Sequence, residues 1–205
     1  MRIRHVGVVG GGTMGQGIAQ VIAQAGLDVI IQDVSTHALE RAVAEITASL
    51  DERVAKWGIT DKEANLILSR IKTTTSYDGF ESVDLVIESI DEDEEQKIAV
   101  FKALNSICPD YTVFSTNTST LSVSKLASIC KKPTQFIGMH FQPPVPKRPL
   151  VEIVRGLVTS DQTFESVKNF VAKIGKKSVE VYEWPGYVTT RVMMPMINEA
   201  AYALM

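Results

Sequence analysis

Apolar and polar positions along this chain follow two alternating rhythms. Residues 3–9 (IRHVGVV) form a short apolar run that ends in three consecutive glycines, Gly10, Gly11 and Gly12. This predicts a buried strand followed by a tight turn. Residues 13–26 switch to helical spacing, with Ile18, Val21, Ile22 and Ala25 on one stripe and Gly26 as the stop. Residues 28–33 (DVIIQD) return to a strand. The unit is βαβ, so its two strands should lie parallel.

Ser35-Thr36 offers an N-cap to a long helix over 37–57, which Gly58 should end. Thr60-Asp61 caps a second helix of about 61–70. Together they predict a helical hairpin that a minimal crossover does not need. Strands are expected at 71–74, 84–89, 112–115 and 136–140, with helices at about 93–106 and 122–130. Beyond Pro149, LVEIV and SVEVYE read as strands on either side of a helix at 161–174. The expected fold class is α/β, a Rossmann-like, mostly parallel sheet with a helical-hairpin insertion. The sheet domain should run over 1–185. Residues 187–205 are helix-like and apolar nearly all round, which predicts burial against another surface. Pro195 should kink that helix or mark its first turn.

Composition narrows the function classes. Lys plus Arg number 21 and Asp plus Glu 24, a net charge of −3, and no basic stripe invites nucleic acid. No apolar run is long enough to span a bilayer, and no leader precedes the first strand. Cys108 and Cys130 are too few for a disulfide framework and sit in no metal-ligand cluster, so no metal is expected. Two reduced thiols and no leader point to a cytoplasmic protein.

Gly10-Gly11-Gly12-Thr13-Met14-Gly15 fits G-x-G-x-x-G, and it has the context that gives the motif meaning: a strand before it and a helix after it. Gly10 permits the turn, Gly12 lets a pyrophosphate approach the backbone, and Gly15 lets helix and strand pack closely. The helix start presents free N–H groups to phosphate, including those of Thr13 and Met14. Asp33 closes the next strand, 18 residues after Gly15. Its carboxylate suits a ribose diol and repels a 2′-phosphate, and Val34-Ser35 supply no arginine, so the expected cofactor is NAD.

From these residues onward the chain resembles the 3-hydroxyacyl-CoA dehydrogenase family. VGVVGGGTMGQGIA, VDLVIESIDEDEEQK, STNTSTLSVSKLA, IGMHFQPPVPKRPLVEIVRG and WPGYVTTRVMMPMINEA are similar to that family's motifs, in the same order. The resemblance implies NAD-dependent oxidation of an L-3-hydroxyacyl-CoA. It implies that His140 is the catalytic histidine, Glu152 its carboxylate partner and Ser119 a serine that bonds substrate and cofactor. It places Glu92, Lys97 and Asn117 along the cofactor, although Glu92 and Lys97 fall in an acidic run that otherwise reads as a solvated helix start. Asn117 otherwise reads as a turn former. Ser49 and Lys56, seven apart on the hairpin, are implied contacts of coenzyme A; an exposed lysine is the plainer reading of Lys56. The resemblance further implies that 186–205 opens a helical C-terminal dimerisation domain, that the chain is a truncated piece of a longer product, and that it forms a homodimer through this segment.

The family pattern breaks at two places. Pro143 and Thr190 stand where the family usually has asparagine. An amide becomes a shorter hydroxyl at one position and loses all side-chain hydrogen bonding at the other. Lys147-Arg148 reads first as a solvated loop pair, and second as a holder for an extra anionic group on the substrate. Two rival readings remain: a dehydrogenase of a free or carrier-bound 3-hydroxy acid, as in the related gulonate and carnitine dehydrogenases, and a non-catalytic NAD-binding relative of the crystallin kind.

Overall fold

A computed structural model describes residues 3–205. Eight strands form one sheet: β1 His5–Val9, β2 Asp28–Gln32, β3 Ile71–Thr74, β4 Leu85–Glu88, β5 Val113–Thr116, β6 Phe136–Phe141, β7 Leu150–Arg155 and β8 Lys177–Tyr182. Their spatial order is β3-β2-β1-β4-β5-β6-β7-β8. The first six strands are mutually parallel, β7 runs antiparallel to β6, and β8 is parallel to β7. The sheet is therefore mostly parallel and Rossmann-like, as the alternating rhythms predict. The order reverses between β1 and β4, and such a switch point opens a crevice at the carboxyl ends of the strands.

The helices are α1 Thr13–Gln24, α2 Thr36–Ala55, α3 Asp61–Leu68, α4 Glu94–Ile107, α5 Val123–Ala127, α6 Asp161–Lys173 and α7 Thr189–Tyr202. Their starts follow the caps written in the sequence. Ser35 accepts the N–H of Ala38, and Thr60 and Glu63 form a reciprocal capping box. In the hairpin, α2 buries Leu39, Ala42, Ile46 and Leu50, one helical stripe facing α1 and α3. Fully burying one such leucine or isoleucine stabilises the fold by about 1.5–3 kcal/mol. Element ends differ from the sequence expectation by up to three residues, with one informative case. The end of α2 is made by Trp57, not Gly58: Trp57 takes φ 57° and the Gly58 N–H closes on the Arg53 carbonyl at 2.8 Å. Pro195 lies inside α7, which continues through it to Tyr202.

Two apolar cores flank the sheet. One joins Ile18, Ile22, Leu50, Met139, Val167 and Phe170; the other joins Phe101, Leu104, Phe114 and Phe136. Along β6 and β7 the period-2 alternation sends Ile137, Met139, Phe141, Val151 and Ile153 to the first core, and Phe136 and Val154 to the second. His140 and Glu152 fall on the Phe136–Val154 face. Helix α7 has no buried residue, and every position from Arg191 to Met205 is exposed.

Candidate active site

The glycine turn joins β1 to α1, and steric limits dictate two of its residues. Gly10 has φ 103°, and a Cβ there would stand 2.5 Å from the Ser89 carbonyl oxygen. A Cβ on Gly15 would stand 1.8 Å from the Gly10 oxygen. Gly12 differs: a Cβ there would meet nothing within 4 Å. Open space thus lies before the start of α1, where Gly12 offers no side-chain cap and no acidic residue occupies the first turn. Thr13 and Met14 continue that turn, one exposed and one half-buried. An uncapped helix N-terminus with open space before it fits a pyrophosphate.

Asp33 follows β2 and turns back to this loop. Its Oδ2 accepts the Gly11 N–H at 2.8 Å, and its Oδ1 accepts the Ser35 N–H at 2.9 Å. Each oxygen keeps a further lone pair for a ribose hydroxyl. The cleft beyond it, about 460 Å³, runs along the ends of β1, β2 and β4 and is lined by Asp33, Arg41, Tyr77 and Ile90 among others. Arg41 lies beyond the Val34-Ser35 segment that follows the strand and so is not marked by the motif itself. Its signal was available: Ala38 and Arg41 are three apart, on one face of α2.

His140 and Glu152 are directly paired in the antiparallel ladder of β6 and β7. His140 Nδ1 lies 2.7 Å from Glu152 Oε2. Glu152 Oε1 accepts the N–H groups of Val188 and Thr189, both at 2.9 Å, and Oε2 also accepts the Thr189 hydroxyl at 2.7 Å. Burial pushes the Glu152 carboxyl up, but the bonds from His140, Thr189 and Val188 outweigh it and hold the group below the usual carboxylate range. A carboxylate on Nδ1 sets the tautomer that leaves Nε2 without a proton, the form a base requires. The Tyr187 ring meets the imidazole edge-on, with centroids 5.3 Å apart.

Lys97 is not part of a solvated helix start. Its side chain is 1% exposed, with Nζ 2.6 Å from Glu88 Oε1, 3.5 Å from Glu92 Oε2 and 3.2 Å from the Ile90 carbonyl. Glu88, fully buried at the end of β4, also accepts the Thr116 hydroxyl at 2.6 Å and the Ile90 N–H at 2.8 Å. Burial pushes Glu88 up, while Lys97 and these donors pull against it. Glu92 accepts from the Thr118 and Thr120 hydroxyls and from the backbone of Ser119 and Thr120. Burial raises its carboxyl, but these bonds and Lys97 bring it below the usual range. Lys97 thus holds Glu92, and Glu92 holds the loop that carries Ser119. The Ser119 carbonyl accepts the Gly186 N–H at 2.8 Å, which ties Ser119 to the segment touching His140 and Glu152. Asn117 braces three strand ends: Oδ1 accepts the Phe141 N–H at 2.9 Å, Nδ2 donates to Ser89 Oγ at 3.2 Å, and its own N–H donates to the Glu88 carbonyl.

The hairpin forms a second cleft, about 200 Å³, against α1 and the 143–147 loop. Ser49 lines it and accepts a hydrogen bond from Gln20 at 2.9 Å. Lys56 does not line it. Lys56 is the exposed C-cap of α2 and pairs with Glu52, which does line the cleft, as does Lys147. Burial pushes both cysteine thiols up to about 12, which disfavours the thiolate at neutral pH. Among the described residues no helix is long and apolar enough to cross a membrane.

Residues 5–184 match the family described as 3-hydroxyacyl-CoA dehydrogenase, NAD binding domain. A 3-hydroxybutyryl-CoA dehydrogenase of Bradyrhizobium diazoefficiens is 42% identical over 98% of this chain and 69% of its own length. A probable 3-hydroxybutyryl-CoA dehydrogenase of Bacillus subtilis is 40% identical over 100% of this chain and 71% of its own. The crystal structure of (S)-3-hydroxybutyryl-CoA dehydrogenase from Ralstonia eutropha superposes with a TM-score of 0.93 at 42% identity, over 97% of this chain and 70% of that one. A glycine turn shaped for pyrophosphate, an acidic residue beside it and the match along nearly the whole sheet agree: the chain belongs to the 3-hydroxyacyl-CoA dehydrogenase family and carries its NAD-binding domain.

Proposed function

We propose that this protein catalyses the reversible, NAD-dependent oxidation of an L-3-hydroxyacyl-CoA to the 3-ketoacyl-CoA, with His140 as the base and Glu152 as its partner. The observation that carries this reading is the 2.7 Å contact between His140 Nδ1 and Glu152 Oε2 in a site otherwise built for a dinucleotide. NAD supplies the acceptor for the hydride that leaves C3. The chain's own part is to hold the cofactor at the glycine turn and Asp33, to receive the C3 hydroxyl proton on His140 Nε2, and to stabilise the resulting imidazolium with Glu152. Ser119 is the group assigned to the substrate oxygen, with Glu92, Lys97 and Asn117 keeping its loop in place. In the reducing direction His140 returns the proton.

Ser49 and Lys56 are assigned to coenzyme A. Glu52 favours a second reading, because a carboxylate paired with Lys56 opposes nucleotide phosphates; the handle is then a carrier-bound or free 3-hydroxy acid. Residues 186–205 are read as the start of a helical second domain through which two copies associate. This accords with the exposure of Val192, Met193, Met196 and Ile197, each half or more exposed.

An NADH-linked reduction screen separates these readings. Acetoacetyl-CoA and longer 3-ketoacyl-CoAs should turn over in preference to free 3-keto acids. His140→Gln should lower turnover by about 10²–10⁴-fold, the scale of a positioned general base, with NADH affinity unchanged. Wild-type turnover in that variant would remove His140 from the chemistry.

A further inference from the structure

The imidazole of His140 is also held from a side that the Glu152 contact does not explain. Gln142, two residues along the chain, brings its amide nitrogen to 3.1 Å from ring Nδ1 and 3.5 Å from ring Nε2. The same nitrogen lies 3.0 Å from Thr189 Oγ1. Thr189 Oγ1 lies 2.7 Å from Glu152 Oε2, the oxygen that Nδ1 itself approaches.

Counting hydrogens orders the whole set. An ionised Glu152 can only accept, so Nδ1 and the Thr189 hydroxyl must both donate to it. Thr189 has then spent its one hydrogen and can only accept from Gln142. One amide hydrogen goes to Thr189, and the other is left beside the imidazole. Nδ1 has no free lone pair to receive it, so the amide lies against the ring and limits its rotation. Helix α7 supplies Thr189, and the 142–149 loop supplies Gln142. The two segments therefore meet at the Thr189 hydroxyl, which passes the contact on to the Glu152 carboxylate.

We propose that Gln142 and Thr189 are positioning residues, a relay of fixed hydrogen-bond direction that locks the Glu152 carboxylate and, through it, the Nδ1–H tautomer of His140. The proposal rests on the reading of His140 as the base only for its catalytic consequence; the relay itself is a property of the ground-state protein. It also gives the segment following His140 a reason to carry a polar side chain between Phe141 and two prolines. Tyr187 packs on the ring's edge, and Glu152 meets Nδ1.

The test is nitrogen NMR of the His140 imidazole in the 205-residue chain, which needs no turnover. The wild-type ring should show one neutral tautomer, with Nδ1 protonated and Nε2 bare. Gln142→Met and Thr189→Val should each admit the second tautomer or speed Nδ1–H exchange by roughly 3- to 10-fold, the weight of about one neutral hydrogen bond. Thr189→Ser, which keeps the hydroxyl, should restore the wild-type spectrum. Because the two residues act in series, Gln142→Met added to Thr189→Val should change little more. In steady-state assays the same single variants should lower kcat by a similar factor and leave the KM for NADH unmoved. A wild-type tautomer and exchange rate in both Gln142→Met and Thr189→Val would overturn the relay, as would fully additive effects. Failure of the base assignment has a different signature: wild-type turnover in His140→Gln alongside an intact NMR response to Gln142→Met.

Discussion

The carboxylate of Asp33 sits 2.8 Å from the backbone nitrogen of Gly11, so the residue that should choose the cofactor also secures the turn that should hold it. Asp33→Ala should therefore lose more than two ribose contacts. Charge-assisted hydrogen bonds are worth about 1.5–3 kcal/mol each. NAD affinity should fall by at least tenfold, and preference over NADP should narrow further because Arg41 lines the same cleft. Asp33→Asn, which keeps an acceptor for Gly11, should retain part of the affinity. Titration of both cofactors into both variants checks this. Unchanged NAD affinity in Asp33→Ala would take the residue off the ribose.

The buried Lys97–Glu88 pair predicts an asymmetric response to mutation. Lys97→Met leaves Glu88 buried and uncompensated, which should cost about 3–5 kcal/mol. It should also loosen Glu92 and the Ser119 loop. Replacing both partners with apolar residues of similar size should recover much of that stability without recovering activity. Denaturant melts of the single and double variants read the difference. If the double variant is as unstable as the single, burial of an unpaired charge is not the cause.

Glu152 predicts a pH dependence with a definite sign. Its folded carboxyl titrates below the ordinary value of 4.5, so folding favours the ionised form. The stability this contributes is fully present above 4.5 and is lost as the pH falls through the lower folded value. The stability gap between wild type and Glu152→Gln should therefore be constant at neutral pH and shrink in acid. Chemical denaturation across that range tests it; a gap that widens in acid would contradict the hydrogen-bonded carboxylate.

Lys56 should act on the substrate's handle and not on chemistry. Its ammonium is exposed and pairs with Glu52, one turn back on α2. Surface pairs of this kind are worth little, so a phosphate can replace the partner. Lys56→Glu should raise the KM for acyl-CoA but not for a short pantetheine thioester. An equal rise for both substrates would assign Lys56 to folding or point to a different carrier.

Much of this could be read from the chain. The glycine turn, the helix caps at Ser35 and Thr60 and the strand–helix alternation are local signals, and each appears where the sequence puts it. The His140–Glu152 contact needs only one strand reversal, 12 residues apart. What escaped depends on distant partners. DEDEEQK reads as a solvated helix start because nothing nearby shows that Glu88 will be sealed beneath Lys97. Thr189 and Gln142 are 47 residues apart, and no local pattern announces their bond. Trp57 takes the left-handed position beside a glycine that would have suited it, and we find no physical reason in its surroundings.

The attachment of α7 has a mechanical consequence. The start of α7 is tied to the sheet domain after Gly186 and Tyr187, with φ of 81° and 43°, and α7 buries none of its residues. There, the N–H groups of Val188 and Thr189 and the Thr189 hydroxyl all end on Glu152. The helix is thus a lever whose fulcrum is the carboxylate behind His140. Tyr202 lies some twenty ångströms from that point at about 1.5 Å per residue, so the helix projects well beyond the carboxylate that anchors its start. Any displacement of the start of α7 must therefore stretch three hydrogen bonds to the carboxylate that contacts His140 Nδ1.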